Sequence, residues 1–164
     1  MRLIAIFIFL ILFVKINAFG QTRLITGKII TSDFYPNYQA NIYDTDSTLL
    51  VTADANGDFK INIPIGTKSL IVRAVMMEQK HIVVPINCNH LEIIMITSGS
   101  YDYMPAHKID LLRKKEFKKL PRLFLDAFNK GIFKSNKPCY DDIFIPLNKN
   151  LKEIHKNRPK KPSS

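Results

Sequence analysis

Two cysteines in 164 residues are too few for a disulfide-built scaffold, so apolar packing has to hold the fold. The longest unbroken apolar run, positions 3–14, has twelve residues. As a helix it would cover about 18 Å of a hydrocarbon layer of about 30 Å, too little to span it. Missing too are a Gly-x-Ser-x-Gly elbow, a phosphate-cradling glycine loop and a His-Glu-x-x-His pair. Acidic residues are scarce, 14 against 24 Lys+Arg, for a net charge of +10. That scarcity is local. Residues 19–104 carry 6 basic and 8 acidic side chains, whereas residues 105–164 carry 16 and 6. The chain is a near-neutral body followed by a basic tail, and its hydrophobic content of 46% argues against general disorder.

Arg2 precedes the apolar run, and Lys15-Ile16-Asn17-Ala18 follows it. A positive start, a short apolar core and a small-residue exit make a secretory signal over 1–18, cleaved after Ala18 or Gly20. The alternative is an uncleaved anchor. No cysteine stands near the exit, which argues against lipoprotein attachment. The expectation is an exported protein of the periplasm or cell surface with no transmembrane span after cleavage.

What the body does contain is period-two alternation. In 58–63, Phe59, Ile61 and Ile63 alternate with Asp58, Lys60 and Asn62, the pattern of a half-buried strand. Seven strands are expected, at 23–30, 40–43, 48–52, 58–63, 69–75, 81–85 and 91–97. Asn56-Gly57 suits a tight hairpin turn between the third and fourth. Short strands without helical period between them predict a mainly β fold, a seven-stranded antiparallel β-sandwich over residues 22–103. Its expected core is Leu24, Ile29, Ile42, Leu50, Phe59, Ile61, Ile63, Leu70, Val72, Ile82, Val84, Leu91, Ile93 and Met95.

The order Gly27-Lys28-Ile29, Asp33, Ala40-Asn41-Ile42, Thr52-Ala53-Asp54-Ala55-Asn56-Gly57-Asp58-Phe59, Ile63-Pro64 and Leu70-Ile71-Val72 resembles the carboxypeptidase regulatory-like domain. Ala53 stands between Thr52 and Asp54, and Met76-Met77-Glu78 occupy the place of the family's Gly-Tyr. The resemblance covers about half the chain. It implies a transthyretin-like (prealbumin-like) β-sandwich of the kind common in envelope proteins of Bacteroidetes-type bacteria. The family's name comes from a domain that follows a catalytic unit; no such unit is expected here, so the module would stand alone before its basic tail.

Three side-chain groupings could carry chemistry. Asp54-x-Asn56-x-Asp58 opens like a calcium loop, but such a loop needs Gly where Phe59 stands and Glu where Ile65 stands, so a turn is the better reading. His107-x-x-Asp110 lacks a further ligand at metal-binding spacing, and reads as a polar helix face. Cys88-Asn89-His90 would need its thiol and imidazole to converge with an orienting group, which neighbours in a turn rarely do. An enzyme is therefore disfavoured, and no metal or cofactor is implied. In an exported chain Cys88 and Cys139 either form a disulfide tying tail to body or stay as two separate buried thiols.

The tail, 104–157, changes period. Pro105 suits a helix start, and Ile109, Leu112, Phe117 and Leu120 fit one helical face. Pro121 ends that helix and starts a second, with Leu120, Leu123, Phe124, Ala127 and Phe128 on one side and Gly131 at its end. A short third helix is expected through Leu147, Leu151 and Ile154, and a disordered stretch at 158–164. Lys114, Lys115, Lys118, Lys119 and Arg122 cover the remaining helical surface. The functional expectation is a non-catalytic binding or structural module of the cell envelope, its sandwich a scaffold and its basic tail a contact surface. An envelope protein, anionic lipid or acidic polysaccharide could meet that charge. Nucleic acid is disfavoured because an exported chain does not meet it and no reader motif is present. The alternative is a secreted enzyme or accessory subunit whose site the sequence does not display.

Overall fold

A computed structural model describes residues 21–147. The expected signal at 1–18, the third helix through Leu151 and Ile154, and the tail 158–164 lie outside the described residues. The body holds β1 (Thr22–Thr31), β2 (Asn41–Tyr43), β3 (Leu49–Thr52), β4 (Asp58–Pro64), β5 (Ser69–Arg73), β6 (Lys80–Val83) and β7 (His90–Met95). After them come α1 (Ala106–Phe117), α2 (Leu120–Asn129) and β8 (Asp141–Ile143). The fold is mainly β, in two sheets. One has the order β4-β1-β7 and the other β3-β2-β5-β6-β8.

Alternation makes these strands. In β4, Phe59, Ile61 and Ile63 are buried while Asp58, Lys60, Asn62 and Pro64 are exposed. In β1 Ile29 is buried as expected, but Leu24 is 42% exposed and its neighbour Ile25 takes the inner position; Ile25, Ile29 and Ile30 are fully buried. A one-residue slip exchanges the two faces of a strand, and the Leu-Ile dipeptide offers an apolar residue to either. Leu50, also expected inside, is only partly buried.

Three further features depart from the expected antiparallel sandwich. β1 and β7 run parallel, with Thr26 opposite His90 and Thr31 opposite Met95, whereas β1 and β4 are antiparallel. Strand patterning carries no mark of direction, and the long connection that a parallel pair requires is here the chain from β2 to β6, four of whose strands belong to the other sheet. Next, the Asn56-Gly57 turn is not a hairpin: β3 pairs with β2 and β4 with β1, so the turn passes from one sheet to the other. Gly57, at φ 75°, is held there because its carbonyl accepts the Ile29 amide at 2.7 Å. A Cβ at this position would stand 2.2 Å from the Ile29 carbonyl oxygen. Finally, the tail supplies an eighth strand. β8 pairs with β6, placing Asp142 opposite Ile82.

The core is continuous through both sheets and into the tail. Ile25, Ile42, Leu70, Ile82 and Ile93 share one cluster with Leu120, Phe124, Ala127, Phe133 and Tyr140. β7 explains why. Its residues Leu91–Met95 are all buried, so both of its faces are covered, and α2 packs against it.

Candidate functional site

The two helices are held to the body by different means. α2 presents a strong apolar stripe, burying Leu120, Phe124 and Ala127. Phe124 lies 5.0 Å from the Phe133 ring and 6.5 Å, edge to face, from Tyr140. Pro121 sits in the first turn, where its missing N–H costs no helical hydrogen bond. The other end closes as a Schellman motif. Gly131, at φ 71°, donates to the Phe128 carbonyl at 2.9 Å, and Ile132 donates to Ala127 at 3.0 Å.

α1 by contrast buries no residue completely. Of the expected stripe Leu112 is exposed and Ile109 half-buried, while Phe117 packs half-buried against the core and edge-on to the Phe144 ring, and Leu120 is buried as the first residue of α2. Polar contacts anchor the rest of it. Arg113 donates to Glu78 at 2.8 Å, to Asp110 at 3.3 Å and to the Ile145 carbonyl at 3.0 Å, and its guanidinium lies over the Phe144 ring. Asp110 also accepts the Leu147 amide at 2.8 Å. The carboxylate of the His107-x-x-Asp110 pair is thus engaged by the fold, and His107 is exposed. Pro105 stands at the N-cap of α1, one position before the helical start expected of it.

The loop from α2 to β8 is tied down at two points. The buried Glu92 carboxylate accepts the backbone amides of Lys134 and Ser135. Cys139 is bonded to Cys88, with Cα atoms 5.7 Å apart and a sequence separation of 51. The thiol of the Cys88-Asn89-His90 grouping is therefore taken up in a disulfide. His90 instead faces Thr26 Oγ1 across 3.0 Å. Asp54, first residue of the calcium-like stretch, accepts the amides of Asn56 and Asp58 at 2.9 and 2.8 Å, the bonds of a turn. Among the described residues no group of three or more His, Cys, Asp or Glu is placed to hold a metal ion.

Beneath the helix junction lies a buried ion pair that sequence reasoning missed. Lys80 occupies a core-facing position of β6, opposite Val72, and reaches Asp142 of β8 at 2.7 Å. Burial pushes the Lys80 ammonium down from the usual lysine range, against the pull of Asp142. Burial likewise raises the Asp142 carboxyl, against the pull of Lys80. The Tyr140 hydroxyl is driven well up by burial, and then by Asp142 and Glu92. A three-residue strand reading Asp-Asp-Ile has no alternation to announce it, so Asp142 could not be assigned a partner in advance.

On the outer surface Lys114, Lys115, Lys118, Lys119 and Arg122 are all exposed, as the helical spacing predicts. Lys119 is paired with Glu116 at 2.7 Å, and Arg122, its side chain 88% exposed, stands 3.9 Å from Asp126. Lys114, Lys115 and Lys118 make no ion pair among the described residues. Beside Lys118 a groove of about 420 Å³ opens between the helix junction and the 136–138 segment, with Phe117, Leu120, Pro121, Phe124 and Pro138 as its apolar lining. No protein-family model matches the chain, and no curated protein matches it.

Proposed function

We propose that the protein is an exported, non-catalytic binding or structural module of the cell envelope, in which a β-sandwich carries a basic helical face that meets an anionic partner. The observation that carries this reading is the set of unpaired cations on a fixed surface. Lys114, Lys115 and Lys118 face solvent and make no ion pair among the described residues, while Arg113 on the same helix is committed to Glu78 and Asp110. The anchoring and the contact charges thus belong to different residues of one element. The tail's charge also exceeds what solubility asks of a small domain.

A body of seven strands in two sheets over one core supports the transthyretin-like sandwich as the scaffold. Export is supported by the positive start and twelve-residue apolar run at the N-terminus. The experiment changes Lys114, Lys115, Lys118 and Lys119 together to Gln and measures retention on envelope fractions of the native host. Wild type is expected to be retained at low salt and to wash off as the Debye length falls below about 10 Å near 0.1 M. The variant is expected to be lost at both salt levels. Equal, salt-insensitive retention of the two proteins would reduce the lysines to solvation of a surface.

A further inference from the structure

The groove beside Lys118 is built from both sides. Its floor is fixed, since Leu120 and Phe124 are core residues of α2. Its far wall, Asn136, Lys137 and Pro138, is clamped upstream by the Lys134 and Ser135 amides on Glu92 and downstream by the Cys139–Cys88 bond. The cavity is therefore preformed, and its volume of about 420 Å³ falls within the range of small-ligand sites.

Its charge is one-sided. Lys118 and Lys137 stand exposed at the rim, and neither makes an ion pair among the described residues. The one carboxylate in the lining, Asp142, is held by Lys80 at 2.7 Å. An apolar trough under two unpaired cations is complementary to a molecule with one long apolar part and one anionic end. A neutral apolar ligand would leave both cations without a counter-charge, and a purely anionic one would leave the floor wet.

We propose that this groove binds a long acyl chain ending in a carboxylate, a ligand of the fatty-acid class. The chain lies along Leu120, Phe124 and Pro138, and the head meets Lys118 and Lys137. This deepens the contact reading by naming a ligand for one part of the basic face, and it rests on that reading.

The test is calorimetric titration of the full-length mature protein with palmitate below its micelle concentration, and with dodecyl maltoside as a neutral-headed amphiphile. Palmitate is expected to bind one to one, and the maltoside at least about tenfold more weakly. Changing Lys118 and Lys137 to Gln should weaken palmitate by about tenfold, the sum of two exposed charge contacts. Asn136→Trp, at an exposed position, should fill the groove and abolish binding while thermal unfolding stays unchanged. No palmitate binding, equal binding of both amphiphiles, or undiminished binding by Asn136→Trp would overturn the proposal. So would a Glu-rich peptide that displaces palmitate, because the site would then be a protein contact. The Asn136→Trp protein keeps Lys114, Lys115, Lys119 and Arg122, so its envelope retention reports on the basic face separately from the groove.

Discussion

Lys80 and Asp142 form an ion pair buried against the core. Both are charged groups withdrawn from water, and the attraction between them only partly offsets that loss. Asp142 is raised, so between the ordinary carboxylate range and its folded value the native state keeps a proton that the unfolded chain has released. Its contribution to stability therefore falls as pH rises through that window. Lys80 is lowered, so just below the ordinary lysine range the unfolded chain keeps the extra proton, and stability there rises with pH. Lys80→Met should strand the carboxylate and cost about 3 kcal/mol near pH 7. At about pH 5 the cost should be smaller, because Asp142 can then fold as the neutral acid. Urea denaturation at the two pH values checks this; a pH-independent cost would mean that Asp142 is not the group left stranded. Lys80→Met with Asp142→Leu should recover most of the loss.

Among the elements, α1 and α2 have similar lengths and opposite attachments. α2 is held by apolar burial, whereas α1, with Phe117 half-buried at its end, depends on Arg113 reaching Glu78 and the Ile145 carbonyl. Arg113→Ala is expected to release α1 at a local cost of about 2–3 kcal/mol, the scale of hydrogen bonds to a charged group. Hydrogen exchange should show faster α1 amides with those of β1, β4 and β7 unchanged; slowed or unchanged α1 exchange would show that Arg113 is not its anchor. This contrast also marks the limit of what sequence discloses. The period-two run of β4, the short apolar runs of the other body strands and the stripe of α2 could be read because each is a local pattern. The crossing at Asn56-Gly57 could not, since a turn between sheets needs the same backbone freedom as a hairpin turn. Nor could β8, Arg113 or the groove, whose partners lie tens of residues away. Of the basic face, the spacing of Lys114, Lys115 and Lys118 indicated exposure, but only three dimensions separate them from paired Lys119.

The whole molecule is closed by the Cys88–Cys139 bond, which joins body to tail across a sequence separation of 51. On chain-entropy grounds a loop of that length stabilises the fold by about 4 kcal/mol. Cys139→Ser should lower the urea midpoint correspondingly, and reductant should move wild type but not the variant; a reductant-insensitive wild type would leave the two sulfurs unpaired in solution. Peptide mapping of protein from the native host without reductant reads the same bond directly. The parallel pairing of β1 and β7 bears on timing. β1 lies at the centre of its sheet, yet one of its neighbours is the last strand of the body, with Thr26 and His90 separated by 64 residues. That sheet cannot assemble during synthesis until the ribosome has released nearly the whole body, and contacts this distant in sequence form slowly. A newly made chain therefore stays open for longer than one built from neighbouring hairpins, and an open chain is the form that the export proposed above would need to thread.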